Sequence, residues 1–249
     1  MSSLRHFYIP PDQIQNNIAY ISGKEFHHLT NVLRLGVGDE IVILDGIGGI
    51  YRAVLDSVDR KKAACRILKY EKSKKPSISV NLFVGLPKSD KMDMIVQKAT
   101  EIGADSITPM KCKYSVPDLS PQRELKRLER WKTISIEAAK QSHRPHFPSI
   151  FGLVSLHDSI KKSSENLKII LVARIPENGN VFKLKDILKT NPDFQGSNIF
   201  IGPEGGFSDE EIDLSISAGA IPATLGKNIM RTETAAIAAL SIILYELGC

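Results

Sequence analysis

The segment at positions 197–212 reads SNIFIGPEGGFSDEEI and sets one carboxylate, Glu204, between Gly202-Pro203 and Gly205-Gly206. The apolar run Ile199, Phe200, Ile201 predicts a buried strand that the Gly-Pro pair closes. Ser208, with Glu211 three residues on, forms a capping box ahead of Ile212, Leu214 and Ile216, so a helix starts there. A glycine-rich loop at a helix start presents backbone N–H groups to anions. Phosphate is disfavoured here, because the loop lacks the Lys-Ser/Thr pair of a Walker loop and the G-x-G-x-x-G run, and carries an acid instead. Free backbone donors, no Cβ bulk and one negative charge suit a neutral or cationic ligand with adenine-like edges; a plain tight turn is the alternative.

Two more segments end strands in unusual loops: ILVAR at 170–174 and TLGKNIMRTETA at 224–235. The second has no periodicity before Thr232, yet carries Ile229 and Met230 between Asn228 and Arg231, so it must pack inward or wrap a ligand. Arg231 and Glu233 are its charged groups at the entry to the last helix; an acid there is also favoured by the helix dipole. Other polar sites are Lys88 and Asp90 in GLPKSDKMD, and Gln141, Ser142 and Arg144 at the end of a long helix. Near the N-terminus stand Arg5, His6, His27, His28 and Arg34.

These groups need a scaffold. A chain of 249 residues with 42% hydrophobic and 24% charged content is long enough for one large or two modest globular domains. The net charge of +5 and pI near 9.0 permit a nucleic-acid partner without requiring one. The three cysteines, Cys65, Cys112 and Cys249, are scattered without C-x-x-C spacing, which argues against a disulfide framework or a zinc site; no metal is expected. Positions 1–11 lack a signal-peptide core and the longest apolar run is too short to span a bilayer, so a cytoplasmic location is expected.

The first seventy or so residues read as β-rich, with strands at 40–44 and 50–55 around a Gly-rich hairpin, then AACRILKY. The polar EKSKKPS at 71–77 marks a boundary, giving domains 1–73 and 74–249. Beyond it, apolar strands alternate with helices, which predicts an α/β domain with a mostly parallel sheet. Its first helix, capped near Ser89, presents Met92, Ile95, Val96, Ala99 and Ile102 on one face and ends at Gly103. The long helix of RELKRLERWKTISIEAAKQSHRP stops at Pro145, and the last runs to Gly248. From Ala235 to Leu247 the last helix is apolar on nearly every face, which asks for cover all round.

GPEGGFSDEE, LGKNIMRTETA, EAAKQSHR, RHF and HHLTNVLR together resemble the bacterial 16S ribosomal RNA uracil N3-methyltransferase family of the SPOUT class, over nearly the whole chain. The resemblance implies a PUA-like β-barrel that binds RNA, then a trefoil-knotted methyltransferase domain, S-adenosylmethionine as cofactor, 16S rRNA or the small ribosomal subunit as partner, and a homodimer. It places Leu171, Val172, Gly202, Glu204, Gly205, Gly206, Leu225, Gly226, Asn228, Ile229 and Met230 at the cofactor. Arg231 and Glu233 fall to catalysis, as charge stabiliser and as base or orienting group. Arg5, His6, His27, Arg34, Lys88, Asp90, Gln141, Ser142 and Arg144 fall to RNA. Lys227 and Asn228 stand where the family often has Pro-Arg, so no role for an arginine transfers there. Two other classes remain open on sequence alone: a non-catalytic RNA-binding protein and a nucleotide-binding phosphoryl-transfer enzyme.

Overall fold

The computed structural model describes residues 4–115, 120–163, 167–173, 180–192 and 194–247; Arg174, Gly248 and Cys249 lie outside them. The chain forms two compact units, residues 1–75 with 139–147, and residues 76–138 with 148–249. The sequence places a single boundary after residue 73. The assignment of 139–147 to the first unit is a long-range association that no local pattern encodes.

The first unit is built on strands β1 (Arg5–Tyr8), β2 (Ile14–Gln15), β3 (Ile18–Ser22), β4 (Glu40–Leu44), β5 (Gly49–Val58) and β6 (Lys62–Lys72), in the sheet order β1-β4-β5-β6-β3-β2. Helix α1 (Gly23–His27) runs into a π-helical turn, His28–Val32. Alternation along the strands turns Phe7, Ile21, Ile41, Ile43, Leu55 and Cys65 into one apolar core. The expected hairpin between β4 and β5 is held by the buried Asp45. Its Oδ1 accepts from the N–H groups of Ile47 (2.9 Å) and Gly49 (2.7 Å), and its Oδ2 from the Tyr51 hydroxyl (3.2 Å). Gly46 and Gly48 take the positive φ values, 77° and 103°, that this turn needs.

Burial first, and the Asp45 carboxylate second, push the Tyr51 phenol up to about 12. Since the folded pKa lies above the unfolded value of about 10, the associated stability is complete below pH about 10 and is lost as pH rises toward 12. Asp45→Ala strands two turn N–H groups and is expected to cost the first unit about 1–3 kcal/mol. The same change moves the Tyr51 titration back toward the ordinary tyrosine value, which ultraviolet difference titration checks.

In the second unit the strands are β7 (Ser79–Gly85), β8 (Ser106–Lys111), β9 (Ser149–Ile150), β10 (Val154–Ser155), β11 (Leu167–Leu171), β12 (Phe182–Lys183), β13 (Gly196–Ile201) and β14 (Ile221–Thr224). Their order is β10-β8-β7-β13-β11-β14-β12, with β9 beside β8, and the described pairings are parallel. Helices α2 (Lys91–Ile102), α3 (Pro121–Gln141), α4 (Leu156–Lys162), α5 (Leu184–Thr190), α6 (Asp209–Ser217) and α7 (Thr232–Glu246) complete the unit. All six residues of β13 are buried. Its side chains split by period two: Ile199 and Ile201 join the core under α2, α5 and α7, and Phe200 joins the core under α4 and α6. At roughly 1.5–3 kcal/mol per buried large apolar side chain, this strand anchors both layers. The expected α/β class with a parallel sheet is present. Cys112, like Cys65, is buried as a free thiol.

Two local expectations are corrected, and the last helix is only partly covered. Ser89 has φ 57° and lies in the turn before α2; Asp90 stands at the N-cap without a side-chain cap bond. Helix α3 ends at Gln141, four residues ahead of Pro145, because His143 takes φ 57° and turns the chain out of the helix. Helix α7 buries Ala236, Ala239, Leu240, Ile243 and Leu244, yet leaves Ile242 36% and Tyr245 82% exposed, so its apolar surface is not covered all round within this chain.

Candidate functional site

Strands β13, β11 and β14 are neighbours in the sheet although they are not consecutive in sequence, so the loops that follow them meet at one end. There they enclose a cleft of about 510 Å³ lined by 171–173, 201–209, 223–226 and 228–230, with Tyr114, Ile212, Thr232 and Ala235. A cleft beyond the carboxyl ends of parallel strands is where open α/β sheets hold their ligands. All eleven residues expected at a cofactor, from Leu171 to Met230, line it.

The glycines are there for close approach. A Cβ on Gly202 would lie 3.0 Å from Gly206, one on Gly205 would lie 2.7 Å from Tyr114 Cβ, and Gly226 adopts φ 145°. On the β7 side, a Cβ on Gly85 would lie 2.4 Å from Pro203. Short bonds hold the loops: Gly206 N–H to Pro203 O (2.9 Å), Val172 N–H to Ala223 O (2.9 Å), and Thr232 Oγ1 to Gly202 O (3.0 Å). Below the glycine loop the expected capping box is formed, with Ser208 accepting from Glu211 N–H and Glu211 from Ser208 N–H.

Glu204 is engaged by the protein. Its carboxylate accepts from Lys88 N–H (3.1 Å) and from Lys91 Nζ (2.8 Å). Burial pulls this carboxyl upward, but the Lys91 bond and the N–H groups of Glu204 and Lys88 outweigh it, so its pKa sits below the ordinary glutamate value. Glu204 thus ties the glycine loop to the start of α2. Lys91 Nζ also lies 3.9 Å from Glu233 Oε2, an oxygen buried without a hydrogen bond among the described residues. Arg231 is exposed at the N-cap of α7, and neither Arg231 nor Glu233 lines the cleft; Thr232 between them does.

The residues expected at RNA divide between the units. Lys88 and Asp90 are exposed on the second. Arg5, His6, His27 and Arg34 share the first with Gln141, Ser142 and Arg144. The two stretches of the first unit meet directly where His6 stacks on His143, ring centroids 3.8 Å apart. Burial and the facing His143 ring lower the His6 pKa. Lys91, Tyr114 and Thr232 have roles that sequence reasoning missed. Lys91 and Thr232 sit inside motifs already singled out, whereas nothing in the sequence marks Tyr114.

The fold and the cleft thus define a class, and family comparison gives it a name: residues 73–244 match a model described as RNA methyltransferase domain, and residues 21–68 one described as RNA methyltransferase PUA domain. Ribosomal RNA small subunit methyltransferase E of Bacillus subtilis is 32% identical over 91% of this chain and 89% of its own length. The protein of that name from Synechocystis is 33% identical over 94% of this chain and 75% of its own. The crystal structure of the Neisseria gonorrhoeae ribosomal RNA small subunit methyltransferase E bound to S-adenosyl methionine superposes with a TM-score of 0.86 at 29% identity, covering 98% of each chain. The chain belongs to the ribosomal RNA small subunit methyltransferase E family.

Proposed function

We propose that this protein transfers a methyl group from S-adenosylmethionine to N3 of a uridine in 16S ribosomal RNA. The observation that carries the reading is the cleft itself, in which three strand-end loops offer glycines and main-chain groups and, among the described residues, no phosphate-binding lysine. The fit to the cofactor is physical. Gly202 and Gly205 leave room that a Cβ would fill, so the main chain can come close to a flat, uncharged adenosine. Leu171, Val172, Gly202, Gly205, Gly206 and the Leu225–Met230 loop would hold it. When bound, S-adenosylmethionine supplies an electrophilic methyl group.

Uracil N3 carries an imide proton that neutral water largely leaves in place, so the site must accept it or stabilise the charge that develops. Arg231, exposed beside the cleft loop, is assigned to charge stabilisation, and Glu233, held near Lys91, to orienting or accepting the proton. Arg231→Lys keeps the charge and loses the planar fork. Turnover is expected to fall tenfold or more, about 1.4 kcal/mol, with S-adenosylmethionine affinity unchanged; steady-state kinetics with calorimetry check this. The reverse pattern assigns Arg231 to binding.

The reading includes a trefoil knot in the second unit, cytoplasmic action on rRNA or the small subunit, RNA contacts on both units and a homodimer. Support for the dimer comes from Ile242 and Tyr245, exposed on an otherwise apolar α7. No helix of the described residues is long and apolar enough to cross a membrane, and none of their side chains group as a metal site. The deciding experiment is mass mapping of 16S rRNA from cells with and without the protein, together with calorimetry of S-adenosylmethionine binding. Unchanged rRNA masses or absent cofactor binding reject the reading; a monomer mass in ultracentrifugation with full activity rejects the dimer.

A further inference from the structure

Among the described residues, Tyr114 alone brings the end of β8 into the lining of the cleft. The residue is 50% exposed. Phe207, the other aromatic residue of the lining, is packed against the core of Met110, Phe200 and Ile212. Lys113 Nζ lies 6.0 Å from the centroid of the Tyr114 ring, and a tyrosine presents a flat apolar face with a polar tip.

The ring is held in place from its backbone. Cys112 N–H donates to Ser115 Oγ (3.0 Å) and Ser115 N–H to Cys112 O (3.0 Å), closing a tight turn with Tyr114 at its tip. Glu211 then bolts that turn to the glycine loop: Oε1 accepts from Lys113 N–H at 2.7 Å, and Oε2 accepts from Ser208 N–H at 2.9 Å. One carboxylate therefore caps α6 and fixes Tyr114 relative to the loop beside it. Tyr114 Cβ in turn sits where a Cβ on Gly205 would collide.

The sheet order decides what the ring faces. Strand β8 is separated from β13 by β7, and lies farther still from β11 and β14. At about 4.8 Å per strand, the end of β8 is roughly 14 Å across the sheet from that of β11 and roughly 19 Å from that of β14, so Tyr114, packed on Gly205, enters on the side away from the Leu171–Val172 and Leu225–Met230 loops. A ligand held by those two loops leaves the ring to a second molecule. The chemistry of an exposed, rigidly seated phenol ring beside a methyl-donor cleft suits the flat face of an unstacked base.

We propose that Tyr114 is the platform on which the target base stacks, with Glu211 seating it against the glycine loop. This rests on the reading of the cleft as a methyl-transfer site. A base lifted out of RNA loses its neighbours, and one aromatic face recovers part of that stacking while limiting the orientations in which its ring edge meets the methyl donor.

The test uses the full chain with 16S rRNA or small subunits as substrate. Tyr114→Ala is expected to raise the RNA KM by roughly five- to a hundredfold, with the S-adenosylmethionine Kd within about twofold of the unsubstituted protein. Tyr114→Phe keeps the face and recovers most of the loss, whereas Tyr114→Leu keeps bulk without the face and does not. If Tyr114→Ala fails to fold by circular dichroism, the Phe and Leu pair decides. Equal RNA KM in the Leu and Phe variants overturns the proposal, and so does weakened cofactor binding with unchanged RNA KM, which would put the ring on the adenosine. An unsubstituted protein that binds no S-adenosylmethionine rejects the reading of the cleft itself, and this proposal with it.

Discussion

Gly205→Val is expected to lower S-adenosylmethionine affinity by at least a hundredfold, about 2.7 kcal/mol, while the protein stays folded. A Cβ at this position would lie 2.7 Å from Tyr114 Cβ and 3.3 Å from its Cγ, and valine adds two methyls to that overlap. These are not the ends of a flexible side chain. The turn carrying Tyr114 is closed by Cys112 and Ser115 and tied to Glu211, so the glycine loop has to give way. Moving the loop displaces the backbone groups that face the ligand, at a site where an ångström matters. The loss of stability is smaller, because overpacking at an exposed loop residue is relieved by local shift. Gly226→Val reaches the same end by another route, since φ 145° is closed to a β-branched residue and the cleft wall must refold locally. Calorimetry for affinity and thermal unfolding for the fold separate the two effects. Unchanged affinity in both variants removes the assignment of the cofactor to this cleft.

Lys140→Ala is expected to destabilise the first unit by about 3–5 kcal/mol. Lys140 Nζ lies 2.6 Å from Glu25 Oε1, with side chains 6% and 18% exposed, and Glu25 Oε2 already lacks a hydrogen bond among the described residues. Removing the lysine leaves a carboxylate mostly out of water with its partner gone. For a unit of this size such a loss lowers the melting temperature by roughly 12–40 °C. The double change Lys140→Met with Glu25→Leu removes both charges and is expected to restore most of the stability, because the cost lies in the unpaired charge. Thermal unfolding of the full chain followed by calorimetry reads both. A Lys140→Ala protein that melts within 2 °C or so of the original would show that the pair contributes little and that water reaches Glu25.

Much of the scaffold was legible because its signals are local. The capping box of Ser208 and Glu211 formed as its spacing requires, since N-cap and N3 are three residues apart in any helix. The hairpin of Asp45 to Gly49 formed because glycines supply the positive φ there. The apolar runs became a parallel sheet with both faces covered, since a strand apolar on both sides has no other stable place. The three cleft loops were recognisable as irregular ends of strands. Errors fell where one residue's conformation overrode the pattern: Ser89 and His143 both adopt φ 57°, which no propensity at those residues announces.

By itself, then, the sequence determined which segments become strands and helices, where the glycine loop starts its helix, and which family the chain resembles. Tertiary structure decided the rest. It alone interleaved β11 between β13 and β14, bringing together loops that follow Leu171, Ile201 and Thr224 and are far apart in the chain. It turned Glu204 onto Lys91 and away from the role of free cleft charge. It carried residues 139–147 from the end of α3 into the first unit, where His143 meets His6 and Lys140 meets Glu25. It also placed Tyr114, a residue without any motif, at the cleft. The physical reason is one of range. Capping, turn chemistry and hydrophobic period act within a few residues, whereas strand order and the pairing of buried charges are settled by which distant surfaces can be covered at once.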